Sequence, residues 1–129
     1  TFGTTIHKLE EGIDSGDILF EDRFDIPSDC WVEKLYNITF EKSVHLFRDN
    51  IDKIINHDIN PINQTEYIRD RSCSIHYRNE MDKLKIIDLS WSKEKIEHHI
   101  RATYMPGFEP PYFLLNSEKV YIKRENSDD

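Results

Sequence analysis

Gly12-Ile13-Asp14-Ser15-Gly16 constrains this chain more than any other stretch. Counting Gly3, the opening segment holds three of the four glycines in the sequence. The β-branched run around Thr4-Thr5-Ile6 and the apolar residues after Asp17 predict strands over 4–9 and 17–26. Glycine reaches backbone angles closed to other residues, so the two glycines predict a constrained turn with Asp14 at a strand end. A carboxylate fixed there is well placed to orient a catalytic base. The alternative is an aspartate that hydrogen-bonds its own backbone.

After the second strand, Pro27-Ser28-Asp29 reads as a helix start capped by Ser28 or Asp29. Val32, Leu35, Tyr36, Thr39, Phe40, Val44, Phe47, Ile51, Ile54 and Ile55 then recur at helical spacing. They predict one long amphipathic helix to about residue 56, its apolar face laid on a sheet of these and further strands. Residues 57–80, with Pro61 and little periodicity, read as an extended crossing segment. Ile86-Ile87-Asp88-Leu89 is a short apolar run. Ser92 is the expected cap of a second helix with Ile96, Ile100 and Tyr104 on one face, ending before Pro106-Gly107. Phe113/Leu115 and Val120/Ile122 alternate around Asn116-Ser117-Glu118, the pattern of a hairpin. The tail from Glu125 is expected to fray.

At 129 residues the chain is one domain or part of one. Its net charge of −8 argues against a general nucleic-acid surface, although a few local cations would suffice for a small phosphorylated ligand. No apolar run reaches the roughly 18 residues of a membrane span. The first residue is Thr1, so the chain is expected to begin inside a longer polypeptide or to have been trimmed. Cys30 and Cys73 lack metal spacing and read as reduced thiols of a cytoplasmic protein. His98 and His99 diverge by about 100° on a helix, which suits no single metal; no metal site is expected.

Strand, acidic pair, Gly-Ile-Asp-Ser-Gly-Asp and strand together resemble the second half of the folate-dependent formyltransferase domain. In that family a Gly-Thr/Val-Thr-x-His strand leads into the turn bearing the catalytic aspartate, and the match falls on Asp14. A second block begins with Asp88-Leu89-Ser90-Trp91-Ser92 and Ile100-Arg101-Ala102. It ends in Pro106-Gly107-Phe108-Glu109-Pro110-Pro111-Tyr112-Phe113, an ending similar to that of the sugar N-formyltransferases. The resemblance implies an α/β fold: the C-terminal part of a Rossmann-like sheet over 1–60, then a crossing segment and a helix-plus-hairpin subdomain over 61–129. It implies formyl transfer from formyltetrahydrofolate to a nucleotide-linked amino sugar, usually dTDP-linked, in lipopolysaccharide O-antigen biosynthesis. It also implies a homodimer; the acidic charge and the lack of a long apolar run already argue against nucleic acid and membrane as partners.

The family's catalytic Asn and His precede the Gly-Thr-Thr strand, so most of the folate site is expected upstream and this stretch alone is expected to be inactive. Asp14 would hydrogen-bond the absent His, while His7, Gly12, Gly16 and Asp17 support the turn. Arg101 would fork onto a pyrophosphate, or simply pair with Glu97. Tyr104, Phe108, Tyr112 and Phe113 cluster around three prolines. Most are expected in the core, with Phe108 or Tyr112 stacking on a base. Alternatives to the sugar enzyme are a methionyl-tRNA formyltransferase, which would continue into a basic barrel, and a non-catalytic interaction module that kept the fold.

Overall fold

The computed structural model describes residues 1–64, 66 and 75–124. Thr65, residues 67–74 (Cys73 among them) and the tail from Glu125 lie outside the described residues, so the frayed-tail expectation and part of the crossing segment do too. By internal contact the chain divides into two units, Thr1–Ser28 with Leu35–Ser74 and Asp29–Lys34 with Ile75–Asp129.

In the first unit, β1 (Phe2–His7) and β2 (Ile18–Phe24) pair antiparallel, from Phe2 opposite Phe24 to Ile6 opposite Phe20. The register then slips, so that His7 faces Ile18. Such a bulge bends the strand and re-aims the side chain beside it, here just ahead of the glycine turn. β2 is shorter than the sequence pattern suggested, whereas β1 has the expected length but begins and ends two residues earlier. Ile62, inside the expected crossing segment, forms an antiparallel bridge to Ile18 with reciprocal backbone bonds of 2.9 and 2.8 Å.

The long helix α1 runs Val32–Ile55. It starts later than a Ser28 or Asp29 cap would allow, because Ser28 and Asp29 form a turn and residues 29–34 belong to the second unit. There Trp31 packs edge-on against Tyr104, with centroids 6.1 Å apart. At its other end His57 takes φ +56° while His57 N–H donates to Ile54 O and Asp58 N–H to Lys53 O. This is a Schellman closure built without glycine.

The face of α1 toward the hairpin is partly polar. Ser43 and Thr4 hydroxyls meet at 2.7 Å, Lys42 pairs with Asp22 at 3.3 Å, and buried Asn50 donates to Leu46 O. Tyr36, Phe40, Phe47 and Ile55 stay exposed. The apolar stripe of α1 therefore divides into a half-buried part and an open part.

The second unit is built around Pro111, which is fully buried, with Ile87 and Tyr112. Ile87 N–H donates to Tyr112 O at 2.7 Å and Tyr112 N–H to Lys85 O at 3.0 Å, tying the Ile86 run to the hairpin. A 3₁₀ turn Arg78–Glu80 leads into the short α2 (Met81–Leu84). Helix α3 spans Lys93–Thr103, and the Ser92 hydroxyl accepts from Lys95 N–H as its cap. Phe108 N–H donates to Met105 O with Gly107 at φ +82°, so Pro106-Gly107 forms a type II turn that stops the helix. Strands β3 (Tyr112–Leu115) and β4 (Glu118–Tyr121) pair antiparallel. Asn116 and Ser117 both take positive φ, as a two-residue type I′ loop requires. No helix among the described residues is long and apolar enough to cross a membrane.

Candidate functional site

The glycine turn is rigid for reasons that can be read atom by atom. Gly12 has φ +127°, a region where a side chain is strained. A Cβ on Gly16 would stand 1.9 Å from the Lys8 carbonyl oxygen, so the strands close around that position. Lys8 N–H donates to Asp17 O at 3.0 Å, and the Lys8 ammonium pairs with the Asp17 carboxylate at 3.3 Å. Asn63 reaches the same carboxylate at 3.3 Å. The Gln64 side-chain amide then donates to Asp14 O at 3.0 Å and Gly16 O at 2.6 Å, buttressing the turn from a position 50 residues beyond Asp14.

Asp14 sits at the apex with φ +48°. Its side chain is 83 % exposed and lies 3.5 Å from His7 Nε2. Among the described residues that carboxylate makes no hydrogen bond to its own backbone. The turn thus holds its backbone firmly and leaves the carboxylate open. A carboxylate so held can accept an imidazole N–H and fix the ring's orientation, the requirement for tuning a general base.

The aromatic and cationic residues singled out in the second unit separate into two places. Arg101, on the last turn of α3, and Tyr104, which caps that helix, line a cavity of about 250 Å³ with Trp31, Glu97, Ile100, Ile122, Lys123 and Arg124. The Arg101–Glu97 pair does not form: Glu97 lies 3.7 Å from Lys93, and Arg101 has no ion-pair partner among the described residues. Phe108 is elsewhere, 67 % exposed on its turn. Tyr112 is only 4 % exposed; Tyr121 packs edge-on against its ring and the Lys119 ammonium lies 4.3 Å over it. Of the two rings considered for stacking on a base, Phe108 is the open one.

Glu109 ties this hairpin to its loop. It accepts from Tyr121 OH at 2.6 Å and Lys119 Nζ at 3.2 Å, which hold its carboxyl below the usual range. His99 packs edge-on against Trp91 at 5.1 Å, and burial pushes its imidazole below the ordinary 6.5. No cluster of three or more His, Cys, Asp or Glu among the described residues is arranged to hold a metal. Sequence reasoning missed Gln64, Trp31, Lys123 and Arg124. No local signal marks Gln64, whereas an unassigned tryptophan just ahead of a helix was a signal available for Trp31.

No protein-family model matches the chain. It is 30 % identical over 97 residues to a methionyl-tRNA formyltransferase of Clostridium novyi, covering 75 % of this chain and 29 % of that protein. A GDP-perosamine N-formyltransferase of Brucella melitensis is 22 % identical over 120 residues, 93 % of this chain and 44 % of the relative. The crystal structure of a 4-N formyltransferase from Francisella tularensis matches with a TM-score of 0.78 at 25 % identity, over 97 % of this chain and 51 % of that one. The N-formyltransferase from Helicobacter canadensis, solved with folinic acid and dTDP-3-aminofucose, matches with a TM-score of 0.73 at 25 % identity, over 92 % of this chain and 42 % of that one. The chain thus spans less than half the length of these curated relatives and about half of the Francisella chain. The resemblance seen in the two sequence blocks is borne out: the chain is similar to formyltransferases and most like the sugar N-formyltransferases. Its α/β fold matches the C-terminal part of formyltransferase structures.

Proposed function

We propose that this chain is the C-terminal half of an N-formyltransferase that moves a formyl group from formyltetrahydrofolate to the amine of a nucleotide-linked amino sugar. The observation that carries the proposal is the locked turn that presents Asp14 with its carboxylate open. The attacking amine must lose a proton as it adds to the formyl carbon, and a histidine base upstream of this chain takes it. Asp14 accepts that imidazole's other N–H, fixes the tautomer and favours the protonated ring. An upstream Asn would donate to the oxyanion of the tetrahedral intermediate, whose collapse breaks the bond from the formyl carbon to the folate nitrogen; the histidine returns its proton to that nitrogen and tetrahydrofolate leaves. His7 and Asp17 position the turn, and Arg101, Tyr104 and Phe108 contact the nucleotide sugar.

The Helicobacter structure, with a folate and a dTDP-linked aminosugar bound, supports the donor and acceptor classes. The Brucella relative acts on a GDP-linked sugar, so the nucleotide is assigned here as a class, with dTDP preferred. Exposed Leu114, Leu115 and Val120 on the β3–β4 hairpin support pairing with a second copy, and free Cys30 accords with a cytoplasmic setting. A methionyl-tRNA substrate is the second reading, favoured by the Clostridium relative at 30 % identity. The net charge of −8 weighs against it.

The test is formyl transfer by the full-length polypeptide that contains residues 1–129. Formylation of dTDP- or GDP-linked amino sugars, with the 129-residue chain alone inactive, is the expected result. Formylation of methionyl-tRNA in their place would move the assignment to the second reading.

A further inference from the structure

Three consecutive residues of the crossing segment fasten onto the glycine turn. Ile62 exchanges two backbone bonds with Ile18, the first residue of β2. The Asn63 amide donates to the Asp17 carboxylate, which Lys8 also holds. Gln64 reaches furthest in, its Nε2 donating to Gly16 O at 2.6 Å and to Asp14 O at 3.0 Å. A side-chain amide carries two N–H donors, so it can satisfy both carbonyls at once. Among the described residues no other group bonds the main chain of Asp14.

That grip matters because of where Asp14 stands. Its φ of +48° lies in the left-handed region, which is costly for an L-residue and persists only where the surroundings hold it. Gly12 and Gly16 let the chain enter and leave the turn, but neither acts on the Asp14 peptide from outside it. The Asp14 side chain gives little help, being 83 % exposed with His7 3.5 Å away. A return of the Asp14 backbone to an ordinary negative φ would swing the carboxylate off its direction. A misplacement of about 1 Å at a catalytic group can cost about a hundredfold in rate.

We propose that Gln64 is a positioning residue for formyl transfer: by gripping the two carbonyls it holds Asp14 in the left-handed conformation that aims its carboxylate at the upstream imidazole. For the reaction served, the inference rests on the function proposed above. The grip itself is a property of the turn and does not. Ile62 and Asn63 seat the segment from which Gln64 reaches, so this part of the crossing segment belongs to the catalytic geometry and does more than link two elements.

Steady-state transfer by the full-length enzyme, counted per folded molecule, tests this. Gln64→Ala and the near-isosteric Gln64→Met should lower kcat about tenfold or more and leave both KM values within about twofold. In an Asp14→Asn background the same substitutions should add little, because Gln64 acts through Asp14. Gln64→Glu keeps the length but turns an ionised carboxylate on two carbonyl oxygens; once protonated, it can donate to one of them. Its rate relative to the parent at the same pH should therefore climb as the pH falls from about 8 to about 6. In isotope-labelled enzyme, the strong NOE between the amide and Hα protons of Asp14, the mark of a positive φ, should fade in Gln64→Ala. A parent-like kcat in both Gln64→Ala and Gln64→Met, a loss confined to KM, or full additivity with Asp14→Asn overturns the proposal. An inactive parent enzyme would instead sink the transfer reading, and the Asp14 NOE would still decide the grip, which falls if that signal is unchanged in Gln64→Ala.

Discussion

The Asp14 turn and the cation-lined cavity are held in opposite ways. In the turn, backbone does the holding: two glycines, the Lys8–Asp17 closure and two carbonyls gripped by Gln64, with one charged side chain left open. In the cavity, side chains do it: Trp31 on Tyr104 and Arg124 over Trp31, with two further cations that have no ion-pair partner among the described residues. The first arrangement fixes a single group in direction, as an orienting carboxylate needs. The second gathers charge on side chains, with only Arg124 of the three cations ion-paired among the described residues. Stability should therefore depend on small backbone residues in the turn, and hardly at all on the charges of the cavity.

Gly16→Ala should have the largest effect on stability. Its Cβ would meet the Lys8 carbonyl at 1.9 Å, so the closure must open, at a cost of about 3 kcal/mol by analogy with overpacked interiors. Denaturant unfolding measures it, and an unchanged midpoint would break the account of the turn. Gln64→Ala removes both side-chain bonds to the turn carbonyls and should cost about 1–2 kcal/mol. Hydrogen exchange should rise locally around residues 12–17, because both lost bonds lie there.

A smaller effect belongs to pH. Burial holds the folded-state pKa of His99 below 6.5, against the opposing backbone bond with Leu84. The unfolded chain therefore binds this proton first as the pH falls. The stability of the second unit should be fully present above 6.5 and decline below it, through the lowered folded pKa. His99→Gln should flatten that slope in urea midpoints measured across the range, and an identical slope would exclude His99 as its source. Smallest of all, Arg101→Ala should change stability by no more than about 0.5 kcal/mol, because Arg101 makes no ion pair among the described residues. A drop of several times that size would mean Arg101 is structural.

The same contrast explains what the sequence made legible. The glycine turn, the Ser92 cap, the Pro106-Gly107 stop and the Asn116-Ser117 loop each depend on neighbouring residues, and each stands where the pattern put it. The start of α1 was misplaced because Ser28 and Asp29 have the right chemistry for a cap, while packing of Trp31 on Tyr104 claims the residues that follow. Periodicity marked the apolar positions of α1 but not which would be covered, and Tyr36, Phe40 and Phe47 remain open. Gln64 and the cavity were invisible for one shared reason: each joins residues far apart in sequence, and no short window records such a meeting.

The central claim is that the open carboxylate of Asp14 works on an imidazole supplied from outside this chain. Asp14→Asn in the full-length enzyme tests it most directly, since asparagine tolerates the left-handed backbone at φ +48° and keeps the side chain's shape. Formyl transfer per folded molecule should fall about 100-fold or more, with the melting temperature unchanged. A variant that melts normally and transfers formyl at the parent rate would contradict the account.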